Sequence, residues 1–278
     1  MPEPDQPAVA AAPTGAPDGP GKVWLVGAGP GAADLLTLRA ARLLAAADVV
    51  FYDALVNPEI VALAGRAEQV AVGKRCGKLS TAQRFINKRL VDAARQYRTV
   101  VRLKGGDPML FGRAQEEIDA LLAAGIACEV VPGITAALAA SAQLGVSLTR
   151  RAQARSVTFA TPRVGVDEAA SDWSASVLGA DTAVLYMSVR DAGAIATELI
   201  ARGKPAGLPV AVVRNASLPD SLVLFTTLAG LRQGLGDDPR PAVLCIGEVY
   251  RQALRAVLPD QSRQPEQPGQ PDRRAVSG

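Results

Sequence analysis

Val23-Trp24-Leu25-Val26, running directly into Gly27-Ala28-Gly29-Pro30-Gly31-Ala32, is the stretch on which the fold turns. Apolar residues that stop at closely spaced glycines read as a buried strand ending in a tight turn, because glycine tolerates positive φ and close backbone approach. Gly27, Gly29 and Ala32 satisfy the GxGxxG/A spacing of a dinucleotide site, and Asp53 falls about where that fold keeps its ribose-binding acid. Pro30 argues the other way. It has no N–H and a fixed φ, so the turn is a poor cradle for a pyrophosphate, which needs converging backbone donors at a helix N-terminus. A strand-to-helix turn that holds no ligand is the plainest alternative.

Outward from this turn, short β-branched runs alternate with Ala/Leu-rich helical stretches, the pattern of a mainly parallel sheet covered by helices. Val23 to Gly27 is the first strand; Leu35, Leu38, Ala41, Arg42 and Ala45 recur at helical spacing, and Asp48 to Tyr52 is the next strand. Ser80 with Gln83 has the form of a capping box for a helix reaching about Tyr97, with Phe85, Ile86 and Leu90 on its buried side. Thr99 to Leu103 and Glu129 to Val131 read as further central strands, each ending in a Gly/Pro turn, where open α/β sheets place ligands. The polar, arginine-rich segment Leu148 to Arg155 reads as an interdomain linker. Strands at Ser156 to Thr161, Ala183 to Met187, Pro209 to Val213, Val223 to Thr226 and Val243 to Gly247 follow. The expected organisation is a disordered leader over 1–20, an N-terminal α/β domain over 21–149, a C-terminal α/β domain over 150–256 and a disordered tail over 257–278.

Composition removes several chemistries. Thirty basic and 27 acidic side chains leave a formal charge of +3 among 278 residues, so no global field points to nucleic acid and any basic site is local. The chain has no histidine, which excludes Ser-His and Cys-His nucleophilic pairs, HExxH zinc sites and an imidazole base. Proton transfer falls to carboxylate, lysine, tyrosine or water. Cys76, Cys128 and Cys245 form no CxxC pair, which argues against a disulfide framework or a cysteine-built metal site and suits a reducing compartment; no metal is expected. The opening MPEPDQPAVAAAPTGAPDGPGK has no early cation and no apolar core, unlike a signal peptide, and no apolar run approaches the roughly 18 residues that span a bilayer. A cytoplasmic protein without membrane contact is expected.

GAGPGAADLLTL (Gly27 to Leu38), VVFYDALV (Val49 to Val56), VGKRCG (Val72 to Gly77), VVRLKGGDPMLFGR (Val100 to Arg113), EVVPGITAA (Glu129 to Ala137) and VLYMSV (Val184 to Val189), taken together and in order, closely resemble the uroporphyrinogen-III C-methyltransferases of the precorrin/tetrapyrrole methyltransferase family. The resemblance runs from about Lys22 to Tyr250, and the KGGDP block is its most specific part. It implies the two-domain tetrapyrrole methyltransferase fold, α/β, with a mainly parallel N-terminal sheet plus a second, mixed α/β domain. It also implies a homodimer, S-adenosylmethionine (SAM) held between the domains, and two C-methylations of uroporphyrinogen III that give precorrin-2 and S-adenosylhomocysteine.

By the same resemblance Pro30, Gly105, Gly106, Asp107, Leu110, Thr135, Ala136, Met187 and Ala216 line the SAM site. Asp107 is placed to favour the cationic methionine end of SAM, and Ala216 stands where the family commonly has glycine. C-methylation needs a base that removes a proton from the methylated cation; Asp53, in the family's tyrosine-aspartate string, is the candidate, with a helix N-cap or a turn acid as its structural alternative. Lys74 is the candidate proton donor or anion anchor, competing with a solvated loop lysine. A substrate with an acetate and a propionate on every ring calls for cationic forks, and Arg75, Arg113, Arg150 and Arg151, with Glu116 beside them, are the candidate substrate residues. The chain departs from the family at Lys78-Leu79-Ser80, Arg150 and Thr161-Pro162-Arg163, where histidines are usual, at Ala114-Gln115 and at Arg214. Three other readings compete: a methyltransferase for a later corrin intermediate, an NAD- or FAD-binding oxidoreductase using GxGxxA, and a catalytically inactive binding protein.

Overall fold

The computed structural model describes residues 19–72, 79–164 and 171–257, with the side chains of 79–82 excepted. Among these residues two five-stranded sheets organise the fold. The first is built from β1 (Lys22–Gly27), β2 (Val49–Tyr52), β3 (Glu68–Ala71), β4 (Thr99–Lys104) and β5 (Cys128–Val131). All its strand pairs are parallel and their order is β3-β2-β4-β1-β5. Helices α1 (Leu38–Ala46) and α2 (Pro58–Ala62) cover one face, meeting Val26, Val50, Val101 and Leu103; α3 (Leu79–Ala94) and α4 (Ala114–Ala123) cover the other, meeting Val23, Leu25, Val49, Phe51 and Val100. A parallel sheet covered on both faces needs apolar residues at successive positions, which is how β1 and β2 read.

Helix α5 (Ala136–Leu144) leads from the first sheet to the second, and its small residues Ala137, Ala139 and Ala140 pack directly on Val184, Ala211, Val243 and Cys245. The second sheet comprises β6 (Val157–Ala160), β7 (Thr182–Tyr186), β8 (Pro209–Arg214), β9 (Leu222–Thr227) and β10 (Ala242–Gly247), in the order β6-β7-β10-β8-β9. Only β6 and β7 run parallel; the other pairs are antiparallel, so the sheet is mixed as the resemblance implied. Helices α6 (Trp173–Gly179), α7 (Ala192–Ala201) and α8 (Leu228–Leu231) cover one face, and α5 and α9 (Arg251–Val257) lie towards the other.

The structure corrects several local expectations. Strand β5 is an edge, not a central strand, and β3, whose sequence EQVA is half polar and which is mostly exposed, carries no strand signal. Helix α1 buries Ala40 and Leu44 rather than the expected stripe, leaving Leu38 80% exposed. Helix α3 begins at Leu79, so Ser80 lies inside it and is no N-cap, and the helix stops at Ala94. Ile86 and Leu90 are buried as expected, but Phe85 faces outward under the Arg89 guanidinium. Leu148 to Arg155 is partly ordered by an Arg150–Ala154 bridge.

Candidate active site

Three strand ends meet at glycines. After β1 the ladder continues irregularly: Ala28 N donates to the Lys104 carbonyl at 2.7 Å, and Gly29 and Gly106 exchange both backbone bonds, at 3.1 and 2.7 Å. A Cβ on Gly27 would lie 2.6 Å from Gly133 Cα, and one on Gly133 would lie 2.3 Å from the Gly106 oxygen. Glycine is therefore required at both positions by backbone against backbone. Gly106 differs: its φ is +68°, yet the side where a Cβ would sit meets only Thr135 Cα, at 3.9 Å. Asp107 clamps this corner, accepting from Met109 N at 2.8 Å and from Gly133 N at 2.9 Å. Both its oxygens are thus engaged by backbone donors, which makes Asp107 a brace of the GGDP turn in addition to any role toward a ligand.

The second sheet closes over this corner. Ala32 N donates to Ser217 Oγ at 3.0 Å, and the Leu218 side chain lies 2.8 Å from where a Gly31 Cβ would project. In that turn the positive φ values fall at Asn215 and Ser217, not at the buried Ala216, so alanine fits there without strain. The Tyr186 hydroxyl accepts from Ala137 N at 3.0 Å and shares a 2.6 Å hydrogen bond with Thr135 Oγ1. It satisfies an N-terminal N–H of α5, where Thr135 occupies the N-cap position without capping through its own side chain. Burial raises the Tyr186 phenol above its ordinary pKa, keeping it protonated. Met187, next in chain, has a φ of 53° and is 47% exposed, a strained placement for a residue that could otherwise have filled a core gap. The structure thus brings Gly105, Gly106 and Thr135 to the glycine corner, with Leu110 closing the turn after Asp107; Pro30 lies between Gly29 and Gly31, Ala136 follows Thr135, Met187 follows Tyr186 and Ala216 precedes Ser217. Tyr186, Ser217 and Leu55, whose Cβ lies 3.2 Å from where a Gly105 Cβ would project, were not anticipated.

Asp53 follows β2, and its Oδ1 accepts from Arg102 Nη2 at 2.6 Å. It is not a helix cap: Asn57 caps α2, accepting from Glu59 N. Arg102 is 2% exposed and spends its remaining donors on Glu117 Oε1 at 3.0 Å and on the Leu103 and Phe51 carbonyls. Glu117, fully buried, also takes Lys104 Nζ at 3.1 Å on each oxygen and Gln83 Nε2 at 3.2 Å. Burial lowers the pKa of Lys104, with the Arg102 charge adding to the effect.

Lys74, the expected proton donor or anion anchor, and Arg75, an expected substrate residue, lie outside the described residues. Arg113, itself at φ 55°, forms a two-pronged pair with Glu116, at 2.6 and 2.7 Å. Arg150 and Arg151 are exposed and make no ion pair among the described residues. Arg214 is buried against the chain that follows α8, donating to the Leu235 and Asp238 carbonyls at 3.1 Å, so its departure from the family serves loop packing.

The geometry removes the dinucleotide reading. Helix α1 starts at Leu38, after a 3-10 turn over Ala33–Leu35, so the glycine turn does not sit at a helix N-terminus. Strand β4 lies between β1 and β2, so Asp53 stands two strands from Gly27, roughly 9–10 Å at sheet spacing. That is unlike the dinucleotide fold, where those two strands are neighbours. The fold is instead a two-sheet α/β architecture, one sheet parallel and one mixed. The chain belongs to the tetrapyrrole (corrin/porphyrin) methylase family, whose profile matches residues 22–232. It is 48% identical over 230 residues to a siroheme synthase of Yersinia pseudotuberculosis, covering 82% of this chain and 49% of that protein. A siroheme synthase of Sodalis glossinidius is 47% identical over 234 residues, 84% of this chain and 50% of that one. The chain thus spans about half the length of the curated relatives it matches. Among solved structures, a Thermus thermophilus uroporphyrin-III C-methyltransferase in complex with S-adenosylhomocysteine aligns with a TM-score of 0.73 and 39% identity, covering 84% of this chain and 100% of that one. A cobalt precorrin-4 methyltransferase aligns at 0.69 and 27% identity, over 82% and 95% of the two chains.

Proposed function

We propose that this chain transfers methyl groups from SAM to uroporphyrinogen III, two C-methylations that yield precorrin-2 and S-adenosylhomocysteine. The observation that carries the reading is the glycine corner: Gly27, Gly106 and Gly133 bring three strand ends into backbone contact, while the side of Gly106 that a Cβ would occupy opens toward Thr135. Glycines at such a place suit a ligand that approaches the backbone closely. The related enzyme with S-adenosylhomocysteine supports it.

When bound, SAM supplies an electrophilic methyl group. The chain's part is orientation and proton handling, and orientation provides most of the acceleration for a displacement of this kind. Pro30, Gly105, Gly106, Leu110, Thr135, Ala136, Met187 and Ala216 hold the methyl donor, and Asp107 keeps the corner rigid beneath it. Asp53, partly exposed, collects the proton released from the methylated ring; Lys74 anchors a substrate anion or donates a proton. Arg75, Arg113, Arg150 and Arg151 receive substrate carboxylates, with Glu116 holding the Arg113 fork until a carboxylate competes for it. The working particle is a cytoplasmic homodimer of two-domain protomers, divided at 21–149 and 150–256, that engages neither nucleic acid nor membrane. Among the described residues no helix is long and apolar enough to cross a bilayer.

The test is an anaerobic assay with uroporphyrinogen III and methyl-labelled SAM, with products identified by mass. Sequential gain of two labelled methyl groups is expected. S-adenosylhomocysteine binding without label transfer to this substrate would move the assignment to a later corrin intermediate.

A further inference from the structure

We infer that Glu117 is a positioning residue for methyl transfer: from the buried face of α4 it fixes the Arg102 guanidinium, and through it the orientation of the Asp53 carboxylate. The inference rests on the assignment of Asp53 as base. Alternation along β4 sends Val101 and Leu103 to the α1/α2 side and Arg102 and Lys104 to the α3/α4 side, where Glu117 meets both cations. Phe51 faces α3 and α4, and Asp53, two residues on, falls on the same side and is reached by Arg102. The result is a line of alternating charge, Lys104–Glu117–Arg102–Asp53, which sums to zero.

Only one end of that line is open. Side-chain exposure is 4% for Lys104, 0% for Glu117, 2% for Arg102 and 29% for Asp53. Burying ions is costly, and apolar residues of similar volume often replace such groups without loss of stability. A line that surfaces solely at the Asp53 carboxylate, where β2 ends, therefore points to a task at that carboxylate. Glu117 performs two services there. Through Arg102 Nε it sets the plane of the guanidinium, so that Nη2 meets Asp53 from a fixed direction. By binding Lys104 with both oxygens it keeps a second cation from competing for Asp53. Gln83 from α3 and the Arg102 contacts to the Phe51 and Leu103 carbonyls hold the assembly from the sides.

The experiment is a double-mutant cycle on the full chain. Glu117→Gln, and the charge-balanced Lys104→Met/Glu117→Gln in case the single variant fails to fold, are each made alone and combined with Asp53→Asn. Turnover, KM, S-adenosylhomocysteine affinity and thermal midpoint are measured for every folded variant. The expected result is a fall in kcat of about tenfold or more for the Glu117 variants with ligand affinity unchanged, and no more than about a twofold further fall once Asp53 is Asn, because residues acting as a unit are not additive. Folded Glu117 variants that turn over normally, or losses that multiply across the cycle, would overturn the inference while leaving the base assignment standing. A normal rate for Asp53→Asn alone would overturn both.

Discussion

Gly106 and Gly133 should fail in opposite ways when given a methyl group, and the contrast tests whether the glycine corner is a ligand site. In Gly106→Ala the new Cβ meets only Thr135 Cα at 3.9 Å, so folding is charged only for holding alanine at a φ of +68°. That strain is about 1–2 kcal/mol, and at about 2–4 °C per kcal/mol for a chain of this size the midpoint should fall roughly 2–8 °C. The methyl group, however, fills the open side over which SAM is placed. Overpacking costs about 1–3 kcal/mol, so the S-adenosylhomocysteine Kd should rise about 5- to 150-fold. In Gly133→Ala the Cβ would stand 2.3 Å from the Gly106 oxygen and 2.9 Å from Gly27 Cα, with no flexible side chain to yield. Strand ends must separate, and stability should suffer more than in Gly106→Ala. Calorimetric titration with S-adenosylhomocysteine and thermal melts of both variants decide the matter. A Gly106→Ala protein that binds within twofold of the parent, or a Gly133→Ala protein as stable as Gly106→Ala, would refute this account of the corner.

Asp53→Asn should lower turnover about 10²- to 10⁴-fold if the carboxylate is the base. Because Arg102 loses its one partly exposed anion, a further stability cost of about 1–2 kcal/mol is expected, below that of a fully buried pair because water reaches Asp53; anaerobic turnover and melts measure the two effects separately. Tyr186→Phe removes the acceptor for Ala137 N and the partner of Thr135, and should cost about 1–2 kcal/mol together with a measurable loss of S-adenosylhomocysteine affinity; unchanged affinity would show that the Tyr186 bridge serves the fold alone. Asp172 is held down to about 2 by the Arg202 guanidinium and by the Ala175 N–H it caps. Its folded value is depressed, so its stabilising contribution is complete above the ordinary carboxylate pKa and disappears as pH falls through about 2. Acid unfolding of Asp172→Asn should therefore show a shallower loss of stability below about pH 4 than the parent; parallel acid curves would contradict the pairing.

What the sequence disclosed was whatever the backbone dictates locally. Gly27 and Gly133 stand where backbone contact leaves no room for a Cβ, Gly106 where the turn takes a positive φ, and the strands around them follow from runs of Val and Leu. Strand order was not legible in the same way. The placement of β4 between β1 and β2 depends on which crossover packs where; it separates Asp53 from the glycine turn and, with the late start of α1, removes the dinucleotide reading. Leu38 and Phe85 show the limit of periodicity: a helical stripe was visible, but which residues of it the sheet covers depends on docking.

The largest omission was the charge line, and here a general rule could have found it. VVRLKGG alternates apolar and cationic residues, which by itself suits a half-exposed strand. A strand inside a parallel sheet has helices on both faces, so the cations at its alternate positions are buried and need a buried acid. Glu116 and Glu117 sit three and four residues after Arg113, in the first turn of α4, where acids are also expected for the helix dipole. That local explanation suffices for Glu116, which stays at the surface beside Arg113, but not for Glu117, which has 0% exposure and two cations on it. One turn of helix therefore supplies a surface partner to a proposed substrate residue and a buried partner to the group behind the proposed base, and strand–helix packing rather than sequence spacing decides which acid does which.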